Sequence, residues 1–213
     1  MEPHRPPITT TNVVTAAVAL VVVAIAIIAL VAMPWGEPTV SEMERDVWTS
    51  LLLPNEEAWP LILEPETVSL EDEPLSLLRI DWDRRLAQLD PEIREGAIEA
   101  SVDFRRKNAR RWPIANDFPP EAHVRVMTPE EVRAFRTEDG PHWPEFYRMF
   151  AGGKDHGAIW VLLSRVGFSR NGTWAIVLID QMSGGKSGVM ELLLLRWTGS
   201  AWEREEILVQ GIS

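Results

Sequence analysis

Apolar and polar positions divide this chain into three stretches with different periods. Residues 13–33 read VVTAAVALVVVAIAIIALVAM, with no charge over 21 residues and Thr15 as the one polar side chain. A helix of that length reaches across a hydrocarbon layer. A run apolar on every face has no polar stripe to offer water, so it is not a surface helix. Pro34, Trp35 and Gly36 end it, and Trp35 suits headgroup depth. A cleaved signal peptide would have a shorter apolar core behind a basic region and a small-residue cleavage site. Here the run is long, only Arg5 precedes it, and no clean A-x-A follows. The pattern predicts a short tail (1–12), an uncleaved transmembrane helix (13–33) and a linker (34–40). Arg5 and the terminal amine lie on one flank, and Arg45 stands among Glu37, Glu42, Glu44 and Asp46 on the other. That bias leans towards a cytoplasmic N-terminus, with the large C-terminal part outside.

The middle stretch has helical period. Ser41 and Glu44 form a capping box, and Met43, Val47 and Leu51 recur every four residues, predicting a helix over 42–53. Prolines then break residues 54–81. Two short apolar runs there (61–63 and 67–70) read as strands. Glu64, Glu66, Glu71, Asp72 and Glu73 read as a solvated acidic loop, because the D-x-D-x-D-G calcium spacing is absent. Asp90-Pro91-Glu92 starts a long helix with Ile93, Ala97, Ser101, Phe104 and Asn108 on one face, running to Trp112 before Pro113. Residues 122–127 alternate as a strand. Thr128-Pro129-Glu130-Glu131 caps a helix over 129–136, and Trp143, Phe146 and Phe150 mark another.

The last third has strand character. Residues 158–168, 173–181, 189–197 and 202–210 are apolar, β-branched and aromatic runs with short polar breaks. Asn171-Gly172 is a strong hairpin signal, and short connections make neighbours antiparallel. Residues 189–197 read as a central strand, and 202–210, with Glu203, Arg204, Glu205 and Glu206, as an edge strand. The expectation is an α+β soluble domain over 41–213. Its short helices would cover one face of a C-terminal four-stranded antiparallel meander.

Composition narrows the function classes. There is no cysteine, which excludes disulfides, thiolate metal sites and a cysteine nucleophile. The formal charge of −11 belongs wholly to the part after residue 33 and speaks against a nucleic-acid partner. One basic cluster stands out: Arg105, Arg106, Lys107, Arg110 and Arg111, at the end of the long helix. Cations there complement the helix dipole. They are also the candidate surface for an acidic partner or anionic lipid.

A series of residues in the last third carries a likeness. Trp143-x-x-Phe146-x-x-x-Phe150 is followed by Leu163-Ser164-Arg165-Val166-Gly167-Phe168-Ser169, then Asn171-Gly172-x-x-Ala175, a Gly-rich turn, Trp197-x-Gly199-x-x-Trp202 and a terminal Ile212-Ser213. This resembles a widespread group of uncharacterised bacterial exported or membrane-anchored domains. Their C-terminal sheet carries an S-R-V-G-F-S…G…A strand pair and often ends in I-S. The resemblance covers residues 140–213 well and the preceding helices loosely. It implies a membrane-attached or exported domain and no particular activity. Related sequences often place cysteines in the Gly-rich turn, which here reads Ser183-Gly184-Gly185-Lys186-Ser187-Gly188.

Candidate chemistry is sparse. Gly185-Lys186-Ser187 evokes a phosphate loop, but Asp180 stands where a glycine is needed and a strand, not a helix, should follow. His142, Glu145, Asp155 and His156 lie close in sequence and could ligate zinc or move protons. Their spacing is no standard metal pattern, so His142, Asp155 and His156 are weak catalytic candidates for a hydrolase. Ser164 and Ser183 lack a nucleophile elbow, and the Ser164 hydroxyl is expected to serve the sheet. Of ten tryptophans, Trp197 and Trp202 are expected at the surface and the rest in packing. No cofactor or metal is implied. The leading expectation is a single-pass, membrane-anchored extracytoplasmic interaction or structural module with an unknown protein partner. The alternative is a small-ligand-binding module, to which an inward polar residue such as Asp180 or Glu191 would point.

Overall fold

The computed structural model describes residues 40–53, 59–72, 82–138, 140–154, 157–184 and 187–212. The chain from Val40 onward forms one compact unit. The run at 13–33 lies outside the described residues. Among the described residues, no helix is long and apolar enough to cross a membrane.

Five α-helices are described: α1 (Glu42–Leu52), α2 (Trp82–Gln88), α3 (Pro91–Lys107), α4 (Pro129–Phe135) and α5 (Trp143–Phe150). The strands are β1 (Leu61–Leu63), β2 (Val124–Val126), β3 (Arg136–Thr137), β4 (Gly140–Pro141), β5 (Ile159–Leu163), β6 (Gly167–Phe168), β7 (Trp174–Met182), β8 (Gly188–Trp197) and β9 (Trp202–Ile212). Both capping boxes form: Ser41 with Glu44 on α1, and Thr128 with Glu131 on α4. The long helix ends at Lys107, five residues before Trp112, where the Asn108 side chain takes up the Phe104 carbonyl (2.9 Å).

The expected four-stranded meander is corrected to a seven-stranded mixed sheet, in the order β2-β1-β5-β7-β8-β9 with β6 also on β7. The run from β5 through β7 and β8 to β9 is antiparallel, with β9 at the edge. However, β1 lies parallel to β5, and β2 parallel to β1. Both strands were expected from the sequence, but they are three residues long and pair with partners far along the chain, so no turn announces their parallel pairing.

The expected single helical layer is also corrected. One face of the sheet (Trp160, Leu162, Ile176, Leu178, Leu192, Leu194) packs on Phe104, Phe135 and Phe146 from α3, α4 and α5. The opposite face (Val161, Leu163, Val177, Leu193, Leu195) packs on Val47, Trp48 and Leu52 of α1 and on Ile114. The sheet is therefore sandwiched. This is why Leu192–Leu195 is buried on successive positions rather than alternate ones.

The strand expected over 158–168 breaks at Ser164–Val166. These three residues are buried, yet they are off the regular ladder. Buried backbone groups require partners, and here two helices supply them. From α1, Trp48 Nε1 donates to the Ser164 carbonyl (3.1 Å), and Glu44 Oε1 accepts from Val166 N (3.1 Å). At the α3 end, Asn108 accepts from Arg165 N (2.8 Å) and donates to its carbonyl (3.0 Å), while Lys107 donates to the Val166 carbonyl (2.8 Å). One turn back, Asp103 accepts from Phe168 N (2.9 Å). The Ser164 hydroxyl serves the sheet, accepting from Leu178 N (2.8 Å).

The same break carries a buried ion pair. Arg165 Nε and Nη2 each donate to Glu44 (2.7 Å), whose other oxygen contacts include Ser41 N (3.0 Å). Burial would raise the Glu44 carboxyl, but Arg165, the Ser41 backbone and Lys107 together hold it below its ordinary value. Glycine is required at 167. A Cβ there would lie 2.3 Å from the Ala100 carbonyl and from Phe104 N, backbone atoms that cannot swing aside.

Candidate functional site

Among the described residues, a cleft of about 430 Å³ lies on the α3/α5 face of the sheet. That size falls within the range of small-ligand sites. Its floor is built on three adjacent strands, where Leu162 of β5, Asp180 of β7 and Met190 of β8 are consecutive partners. Trp160 and Met182 extend the apolar surface. One wall is Val68, Asp72 and Arg111; the other is Arg136 with the β3–β4 ribbon.

Each wall is held by an ion pair. Arg111 Nη2 donates to Asp72 Oδ1 (2.7 Å), and Asp72 Oδ2 accepts from Ser69 N (2.6 Å). Burial opposes ionisation of Asp72, but these bonds outweigh it and lower its pKa. Arg136 Nε donates to Glu64 Oε1 (3.1 Å), and its guanidinium lies 5.3 Å from the Trp160 ring centroid. Glu64 behaves differently: burial dominates, and its pKa is raised despite Arg136 and Arg111. Trp160 Nε1 is buried without a partner in bonding geometry, though close enough to favour the Glu64 anion.

The sequence-predicted residues fall largely elsewhere. His142 is exposed at the start of α5, where its backbone bonds to Phe135 and to the first turn. Glu145, its neighbour in the proposed cluster, pairs with Arg148 (2.8 Å), which lowers its pKa. Asp155 and His156 lie outside the described residues, as do Gly185 and Lys186. Among the described residues, no group of three or more His, Asp or Glu side chains could hold a metal ion.

The basic cluster is engaged within the protein. Arg105 pairs with Asp83 and stacks over Trp82, and Arg106 pairs with Asp103 (2.5 Å). Lys107 turns inward to Asp103 (3.1 Å) and Val166, and Arg110 lies 3.9 Å from the Trp112 ring centroid. Arg111 alone of the five lines the cleft. Glu191 bonds to Arg204 and Gln210 on β9 (3.3 and 3.0 Å) rather than entering the cleft. Trp197 is exposed as expected, but Trp202 is buried against Phe168 and Trp197.

Of the two polar residues named as possible inward positions, Asp180 lines the cleft and Glu191 does not. Glu64, Arg136 and Trp160 gave no signal, because their meeting depends on the non-local β1–β5 pairing. No protein-family model, curated protein or solved structure matches the chain.

The raised Glu64 carboxyl has a checkable consequence. A folded-state pKa above the ordinary 4.5 gives a contribution that is full below that value and lost as pH rises through the folded pKa. Glu64→Gln cannot ionise. The wild type is therefore expected to lose stability relative to Glu64→Gln between acid and neutral pH, measured by urea denaturation at several pH values. A gap that stays constant or moves the other way contradicts the assignment.

Proposed function

We propose that this chain is a non-enzymatic binding module that seats a small, largely apolar ligand in the cleft over β5, β7 and β8. The observation that carries this reading is the cleft itself. It is a concavity of ligand size (about 430 Å³) with an apolar floor, one aspartate at its centre and an arginine on each wall. The reading takes up the ligand-binding alternative in preference to a general interaction surface, because Arg105, Arg106 and Lys107 pair with carboxylates of the protein while Arg111 lines the cleft.

The 13–33 run supports a second part of the proposal: the module is attached to a membrane, with the cleft-bearing domain outside the cytoplasm. The resemblance to bacterial anchored domains agrees with that placement.

Two measurements test these parts separately. The full chain is expected to show saturable stabilisation by some member of a panel of small apolar compounds, about 2–3 kcal/mol at a hundredfold excess over Kd. Met182→Trp, which fills the cleft, is expected to abolish it. A flat response across the panel, or an unchanged one in Met182→Trp, overturns the cleft reading. For placement, a reporter active only outside the cytoplasm, fused after the final residue, is expected to give signal. Activity only from an inside reporter overturns the orientation.

A further inference from the structure

We infer that the ligand is a small organic acid, with its apolar body over Leu162, Met182 and Met190 and its carboxylate on Arg111 and Arg136. This rests on the cleft being the ligand site and adds the chemistry it selects.

The argument is one of hydrogen-bond capacity. The carboxylates around the cleft are largely out of a ligand's reach, with Asp72 and Glu64 19% and 6% exposed and Asp180 1%. Asp72 spends one oxygen on Arg111 and the other on Ser69 N. Glu64 is bonded to Arg136, and Asp180 already has an interaction within the protein. A guanidinium carries five N–H donors. Arg111 gives one nitrogen to Asp72 and Arg136 one to Glu64, while the two side chains stand 42% and 40% exposed. The charged rim that a ligand can reach is therefore mainly guanidinium donors. A ligand that fits it must bring acceptors.

A carboxylate matches the planar fork of a guanidinium and gains charge-assisted bonds. An ammonium would meet the two exposed arginines with like charge. An uncharged group would form weaker bonds with the same donors. The chain's formal charge of −11 opposes anions only at long range, and salt screens that field beyond about 8–10 Å. Inside the cleft the two arginines face the ligand directly.

Three probes with one alkyl chain and different heads test the inference: hexanoate, hexanol and hexylamine. Each is titrated into the full chain carrying labelled methionine methyl groups, and the Met182 and Met190 signals are followed because both line the cleft. Hexanoate is expected to shift both saturably and to bind roughly tenfold or more tightly than hexanol, with hexylamine weakest. Arg111→Gln, and Arg136→Lys, which keeps a cation for Glu64, are each expected to weaken hexanoate by roughly tenfold while leaving hexanol unchanged. Hexanol binding as tightly as hexanoate, or hexylamine binding more tightly, overturns the acid while leaving the cleft as the site. Loss of hexanol binding in the arginine variants overturns the assigned role of those arginines. Silence from all three probes overturns the inference together with the cleft.

Discussion

The structure depends on satisfying the backbone of a buried break in a strand. Residues 164–168 run through the protein interior without a regular ladder over Ser164–Val166, and a polar backbone left unpaired there would be costly. Glu44 and Trp48 reach in from α1, and Asp103, Lys107 and Asn108 from α3 and its end. The two helices lie on opposite faces of the sheet, so the break ties all three layers together. Charge follows the same logic. Arg165 is buried, and Glu44 gives it a bidentate partner, while two backbone N–H groups complete the carboxylate. Removing either partner would strand a buried charge.

Pinning the end of α3 also places the cleft. The chain beyond the helix bonds to the segment after β1: Leu70 N to the Asn108 carbonyl (2.8 Å), Thr67 N to Trp112 (2.8 Å) and Ile114 N to Pro65 (2.8 Å). Those contacts set Val68, Asp72 and Arg111 as one wall. The other wall hangs on Arg136, tied to Glu64 just after β1, and on the ribbon of β3 and β4. Both walls thus refer back to a three-residue strand. The floor is the most regular part of the sheet, where β5, β7 and β8 pair in register. A rigid floor between walls fixed by ion pairs is a sound way to hold a small ligand in one orientation.

Local rules made much of this legible. Capping boxes announced α1 and α4, Asp90-Pro91 announced α3, and Asn171-Gly172 announced the turn into β7. The four long strands were visible because each carries enough apolar positions to show a pattern. What escaped was non-local. Leu61–Leu63 and Val124–Val126 were expected as strands, but nothing in either names its parallel partner. The helix Trp82–Gln88 was not anticipated at all. The motif around Ser164 reads as one strand because most of its residues are apolar or small, with Arg165 the exception, and only the helices' side chains reveal the break. The same limit hid the cleft. Asp180 was named only as one of two possible inward positions, and Glu64 and Arg136 are 72 residues apart and meet only through tertiary structure.

The central claim is that the break at 164–168 is a fixed part of the core, held by side chains as firmly as a ladder holds a strand. Native-state hydrogen exchange reads this at single amides. Arg165, Val166 and Phe168 donate to Asn108, Glu44 and Asp103. Their amides are predicted to exchange only with global unfolding, alongside those of β7 and β8, while the exposed Arg170 amide exchanges far sooner. Exchange of all three as early as Arg170 would show that the segment opens locally, and that neither the helices nor the cleft walls are anchored as described.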